Sequence, residues 1–325
     1  MKHPSEGLVF AHAIGAEQAA GQLNWNDVNT WQPDQGVLWI HLDADNQDAL
    51  QWIADQSGLH PLIQDALLEQ GTRPRSAWVE SGLLVIFRGV NCNPGADPED
   101  MVAIRMFVTE QRIITMRRYR VMAIQDIHNA LVSGSGPTTV GEFFTAVVDR
   151  ITDRIGDIVA DIEDRVADLE DAIVGAETTE LRPRLVELRR ESISLRRYIA
   201  PQRDMLARLV HERIHWLSEA NRVCLREIAE RTARFVEDID AVRERALISH
   251  EELNSRLAER MNRAMYTLSI VAAIFLPLGL LTGLLGINVG GMPGTENPWA
   301  FVIVTVLLIA LAILLVAWFK RIKWL

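Results

Sequence analysis

The chain has 325 residues, 33 basic against 43 acidic, for a net charge of −10. No basic block is long enough to track phosphates, which argues against a nucleic-acid partner, while the acidic surface suits both plain solubility and attraction of cations. Cys92 and Cys224 lie far apart and outside any CxxC pair, so neither a disulfide framework nor a zinc knuckle is expected and a reducing compartment fits. The opening "MKHPSEGLVF" lacks the basic start and apolar core of a cleavable signal.

In chain order, residues 1–136 read as an α/β domain, and the fold class is α+β with helices on a mixed sheet. Alternating or apolar β-rich runs stand at "GLVFAHAI" (7–14), "GVLWIHLDA" (36–44), "AWVESGLLVIFRGV" (77–90), "MVAIRMFVT" (101–109) and "QRIITMRR" (111–118). Helical stretches are expected at about 46–70 and 120–132. "GSGPTT" (134–139) then breaks the chain. His3, His12, His41, His60, His128 and His250 are scattered, and His41 in an apolar strand reads as a satisfied core residue.

From 137 to 264 everything reads as long helices. The first has a period near 3.5 through Phe144, Val148, Ile151, Ile155, Ile158, Ile162, Val166, Leu169 and Ile173. It carries a carboxylate stripe, Asp149, Asp153, Asp157, Asp161, Asp164, Asp168 and Asp171. That stripe is either a cation-attracting face or a solvated one partly paired with Arg150, Arg154 and Arg165. It contains no EF-hand loop pattern. A second helix is expected from about Thr179 to Val210. His211-Glu212-Arg213-Ile214-His215 is a literal H-E-x-x-H, a spacing that puts two imidazoles one helical turn apart. Three readings stay open for it: chance, an accessory zinc site at His211 and His215, or a zinc peptidase with Glu212 as base. No P-loop and no G-x-S-x-G elbow is present, so coupling to ATP hydrolysis has no support.

A third helix begins near Ser218, with Leu225, Ile228, Thr232, Phe235, Ile239, Val242, Ala246, Leu253, Leu257 and Met261 in heptad-like spacing. No Pro or Gly interrupts it before Leu276, so it should run straight into the first of two charge-free apolar stretches. The strongly apolar parts are Tyr266–Gly286 and Trp299–Phe319, each 21 residues, against about 20 needed to span hydrocarbon. Two transmembrane helices follow, at 265–286 and 299–319, with an outer loop at 287–298 and a basic tail at 320–325. Arg256, Arg260 and Arg263 precede the first span, while Lys320, Arg321 and Lys323 follow the second. The loop has no Lys or Arg, so both termini face the cytoplasm. Trp299, Trp318 and Trp324 stand at belt positions.

Two helices enclose nothing, so the spans are either an anchor for a cytosolic domain or part of an assembly around an axis. The first span ends in Gly286-Ile287-Asn288. An Asn amide and freed carbonyls there could replace or bind the first-shell water of a cation, and glycine lets carbonyls turn inward. The same three residues also suit an ordinary left-handed helix stop. Pro277 inside the span frees further carbonyls.

Gly286-Ile287-Asn288, within "IFLPLGLLTGLLGIN" (274–288), then a short loop, a second span and "KRIKWL" (320–325), resembles the Gly-x-Asn signature of the CorA-type two-transmembrane metal-ion transporters. "TRPRS" (72–76), "LRRYIAPQRDMLARL" (195–209) and "GINVGGMPG" (286–294) resemble the ZntB zinc-transporter branch of that family, over essentially the whole chain. The magnesium branch usually has Met where Ile287 stands. The resemblance implies a funnel-shaped homopentamer in the bacterial inner membrane that carries zinc as substrate and needs no cofactor. Its partners are other copies of the chain, the membrane and divalent cations. It also implies a pore face of Glu251, Asn254, Ala258, Met261, Met265, Leu268, Ala272, Leu276 and Gly279, closed outside by Asn288. Steps of 3 and 4 keep the first nine on one stripe. Apolar from Ala258 to Gly279, such a tube suits a partly hydrated ion and a dewetting constriction at Met265 and Leu268. Gly279 stands where relatives of the magnesium branch commonly carry a hydroxyl; Thr282 could supply one nearby. The competing functions are a magnesium or cobalt channel of the same family, a membrane-anchored zinc peptidase, and a two-span anchor without ion flux. No charged residue inside the spans offers a proton relay.

Overall fold

The computed structural model describes residues 7–15, 22–175, 180–286, 294 and 297–322, and the chain divides into two compact units, 1–250 and 251–325. In the first, β1 (Leu8–Ile14), β2 (Val37–Asp43), β3 (Arg75–Val79), β4 (Gly82–Gly89), β5 (Val102–Val108) and β6 (Arg112–Arg117) form one sheet. The strand order is β1-β2-β6-β5-β4-β3, with β2 and β6 parallel and the other neighbours antiparallel. The mixed sheet expected from the alternating runs is present.

Side-chain alternation along β2 sorts the two faces. Leu38, Ile40 and Leu42 join Ile114 and Met116 of β6 in a core closed by α1 (Trp25–Thr30), α2 (Gln47–Asp55) and α3 (Pro61–Leu68). Trp39 and His41 point the other way. The Trp39 ring meets Phe143 edge-on at 4.7 Å, on the first long helix. Its buried indole N–H donates to Thr115 Oγ1 at 2.9 Å, the partner a buried Trp needs.

Three local expectations change. The 46–70 stretch is two helices, because Gly58 takes a left-handed φ of 66° and Pro61 opens α3. The 77–90 run is a hairpin of β3 and β4, turned at Glu80 with φ 55°. The short α1 went unread although Asn24 and Asp27 build a full capping box on it.

Past α4 (Met122–Val132) come α5 (Val140–Gly175), α6 (Leu181–His211) and α7 (Glu219–Leu285). The α5 stripe is buried as expected, except that Val159 replaces the half-exposed Ile158. Gly156 sits where α5 meets α7: a Cβ there would stand 2.8 Å from the Phe235 ring. Ion pairs tie the helices together. Arg165 grips Glu191 with two bonds of 2.7 and 2.8 Å, Arg196 meets Asp240 at 2.6 Å, and Arg245 meets Glu170 at 2.5 Å.

The second unit holds the end of α7 and α8 (Ala300–Arg321). Among its described residues only Leu253, Ile270 and Phe319 are buried. The apolar windows of both helices are almost wholly uncovered, which is the opposite of a soluble core helix and what a lipid-solvated segment requires.

Candidate ion path

α7 continues as α-helix through Pro277 to Leu285. Pro277 has no N–H to give, so the carbonyl one turn earlier loses its helical partner. The hydroxyls nearby are already spent on their own helix: Thr267 donates to Arg263 O, Ser269 to Met265 O, and Thr282 to Leu278 O at 3.0 Å. Such back-bonding keeps polar groups satisfied in hydrocarbon. It also engages the proton of the one hydroxyl suggested as a substitute near Gly279.

The stripe Glu251, Asn254, Ala258, Met261, Met265, Leu268, Leu276 and Gly279 is exposed, and Ala272 alone is half-buried. Met261, Met265, Leu268 and Leu276 are 65%, 55%, 69% and 71% exposed, a row of apolar side chains that the single chain leaves uncovered. Counting about 100° per residue, the buried Ile270 and the partly covered Ile274, Leu278 and Leu281 fall on the opposite face of the helix. A Cβ on Gly279 would meet nothing within 4 Å. At the end of α7 the Gly286 N–H donates to Thr282 O at 2.9 Å. Ile287 and Asn288 lie outside the described residues, as do Lys323 and Trp324. Arg256 pairs with Glu252 and Arg263 with Glu259, each at 2.6 Å, just before the apolar stretch. Trp299 and Trp318 are exposed near the two ends of α8.

The acidic stripe is partly spent. Arg231 of α7 holds both Asp149 and Asp153, the latter at 2.7 Å, and Arg165 reaches Asp161 at 3.4 Å. Arg150 and Arg154, expected to pair within the stripe, turn to Asp126 of α4 instead, at 3.9 and 2.6 Å. Asp157, Asp164, Asp168 and Asp171 are exposed.

His211 is the last residue of α6, and Glu212 is already extended at φ −77°, ψ 143°. The two imidazoles of the H-E-x-x-H segment therefore do not ride successive turns of a helix, which corrects the geometry its spacing suggested. The Glu212 carboxylate instead accepts the Trp78 indole N–H at 2.7 Å. Among the described residues no group of three or more His, Cys, Asp or Glu is placed to hold a metal.

The chain thus presents two candidate membrane spans, both uncovered, and a mixed-sheet domain, with the first span at the end of a 67-residue helix. A family profile described as "CorA-like Mg2+ transporter protein" matches residues 34–321, and the chain belongs to that family. It is 36% identical over 287 residues to a zinc transport protein ZntB of Yersinia enterocolitica, covering 88% of each chain. It is also 36% identical over 324 residues to the divalent cation transporter CmaX of Pseudomonas aeruginosa, covering 98% of this chain and 97% of that one. The solved full-length CmaX structure matches with a TM-score of 0.84 at 34% identity, over the whole of both chains. The family and these relatives are transporters, not enzymes, so the peptidase reading is set aside.

Proposed function

We propose that the chain carries zinc across the bacterial inner membrane through a pore shared by five copies, with both termini in the cytoplasm. In this reading 1–136 and 137–264 are the cytosolic domain and stalk, and 265–286 lines the axis. Residues 287–298 form the outer loop, 299–319 the surrounding ring and 320–325 the basic tail. What supports it is the family match over residues 34–321, together with the apolar stripe from Met261 to Gly279 that the single chain leaves largely uncovered. In the proposed assembly, neighbouring copies close that row into a tube.

Ions pass that tube at least partly hydrated, because Leu268 offers no ligand, Met265 only a weak thioether sulfur, and a bare divalent ion would face a prohibitive desolvation cost. Gly286, Ile287 and Asn288 form the outer selectivity region. The exposed carboxylates of α5, Asp157 and Asp164 among them, raise the local cation concentration.

Asn288→Ala should abolish selective zinc uptake into liposomes while leaving the assembled size unchanged; full uptake by the variant would remove Asn288 from the path. A broader divalent-cation range is the second reading, favoured by the CmaX relative that matches almost the entire chain. Inhibition of uptake by cobalt hexammine, a mimic of hydrated magnesium, would favour it over zinc.

A further inference from the structure

Arg88 on β4 and Arg105 on β5 are charged side chains inside the first unit, 9% and 3% exposed. Arg105 lies opposite Ile86, two residues before Arg88 on the same strand, so both guanidiniums share one face of the sheet. Their acceptors are backbone carbonyls. Arg88 donates to Thr72 O at 2.8 and 3.0 Å and to Met101 O at 2.7 Å, and Arg105 to Glu69 O at 2.6 Å, at the end of α3. The Arg88 guanidinium also stacks 4.6 Å from the centre of the Tyr198 ring. Arg118, just past β6, completes the group.

The available carboxylates are committed or peripheral. Asp45 holds Arg118, and the Glu69 carboxylate is taken by Arg75 at 2.7 Å. Asp100, exposed, lines the same cavity. Among the described residues neither Arg105 Nε nor Arg118 Nε has a hydrogen-bond partner. Burial, then repulsion from Arg88 and Arg118, lowers the Arg105 pKa to about 10, so it stays charged at neutral pH. Two buried like charges without a carboxylate of their own are costly unless an anion joins them.

The three arginines line one cavity of about 380 Å³, with Asn91 and Tyr119 beside them. Three guanidiniums lining one cavity supply the planar, charged donors that the oxygens of a phosphate group take. We propose that this cavity binds a phosphate-type oxyanion, free or as the phosphate of a small metabolite, in the grip of Arg88, Arg105 and Arg118.

The test is calorimetric titration of the full-length protein in detergent with inorganic phosphate and, separately, with ADP. Saturable binding is expected, weakened at least about tenfold in Arg105→Met and in Asn91→Asp. The second substitution keeps the Oδ1 that accepts from Asn93 at 2.7 and 3.2 Å and only adds a repelling charge. Should Arg105→Met fail to fold, Asn91→Asp decides. ADP binding tighter than phosphate identifies a phosphorylated metabolite, and equal or weaker ADP binding identifies the free anion. No saturable heat from either probe up to about 10 mM, or wild-type affinity in a folded variant, overturns the site.

Discussion

His12, His41 and His128 come from β1, β2 and α4 and meet around Phe10, whose ring stacks on His128 at 4.2 Å and on His41 at 4.8 Å. His12 Nε2 and His128 Nδ1 share a hydrogen bond of 2.8 Å, and His41 Nδ1 is 2.8 Å from Thr115 Oγ1. Sequence order scatters these residues, and only the strand pairing brings them together. His41 is the core residue its setting suggested, yet it is satisfied at one nitrogen: Nε2 is buried without a partner among the described residues. Burial, then the neighbouring His128, pushes His12 down to about 4, and burial holds His41 and His128 low as well. The unfolded chain therefore takes up a proton near pH 6.5 that folded His12 refuses until about pH 4, so stability falls as pH drops through that window. For His12 alone the loss is on the order of 3 kcal/mol across the window. Thermal melts of the full-length protein between pH 7.5 and 4.5 should show a falling Tm, with a shallower slope in His12→Gln; equal slopes would remove His12 as a source.

At the scale of elements, the long helices were the most legible part of the sequence, because an apolar period near 3.5 kept over many turns admits one reading. Hairpins were less so. The β3–β4 turn uses Glu80 in a left-handed conformation where Gly, Asn or Asp would have advertised it. Ion-pair partners were not legible at all, since Arg231 and the pair Asp149 and Asp153 are 82 and 78 positions apart and meet only when α7 lies on α5. That contact supplies a prediction about the stalk. Arg231→Ala strands two carboxylates beside each other on α5, but the pair is only partly buried, so the cost should be about 1 kcal/mol. A Tm drop of a few degrees is expected, and it should shrink when Asp149 and Asp153 are also changed to Asn. An undiminished drop in the triple variant would place the role of Arg231 elsewhere.

For the molecule as a whole, the candidate site was readable only through its setting. Gly286-Ile287-Asn288 means little alone, and gains meaning from the Pro-bearing span before it and the basic tail after the second span. The proposed pore stripe is invisible to periodicity, because every face of a transmembrane helix is apolar and nothing in the pattern separates axis from lipid. The buried arginine cavity was missed for a different reason: its members sit on three strands or strand ends and converge only through sheet register.

In the proposed pore, α7 turns the face that bears Gly279 toward water. The direct measurement is zinc uptake by liposomes carrying Gly279→Cys in a chain without Cys92 and Cys224, before and after a membrane-impermeant thiol reagent. Within a single chain a Cβ on Gly279 meets nothing within 4 Å, so the substitution disturbs no contact of its own chain. The thiol should be modified and uptake should stop. A thiol that stays unmodified, or a fully modified protein that transports zinc as before, would contradict that placement.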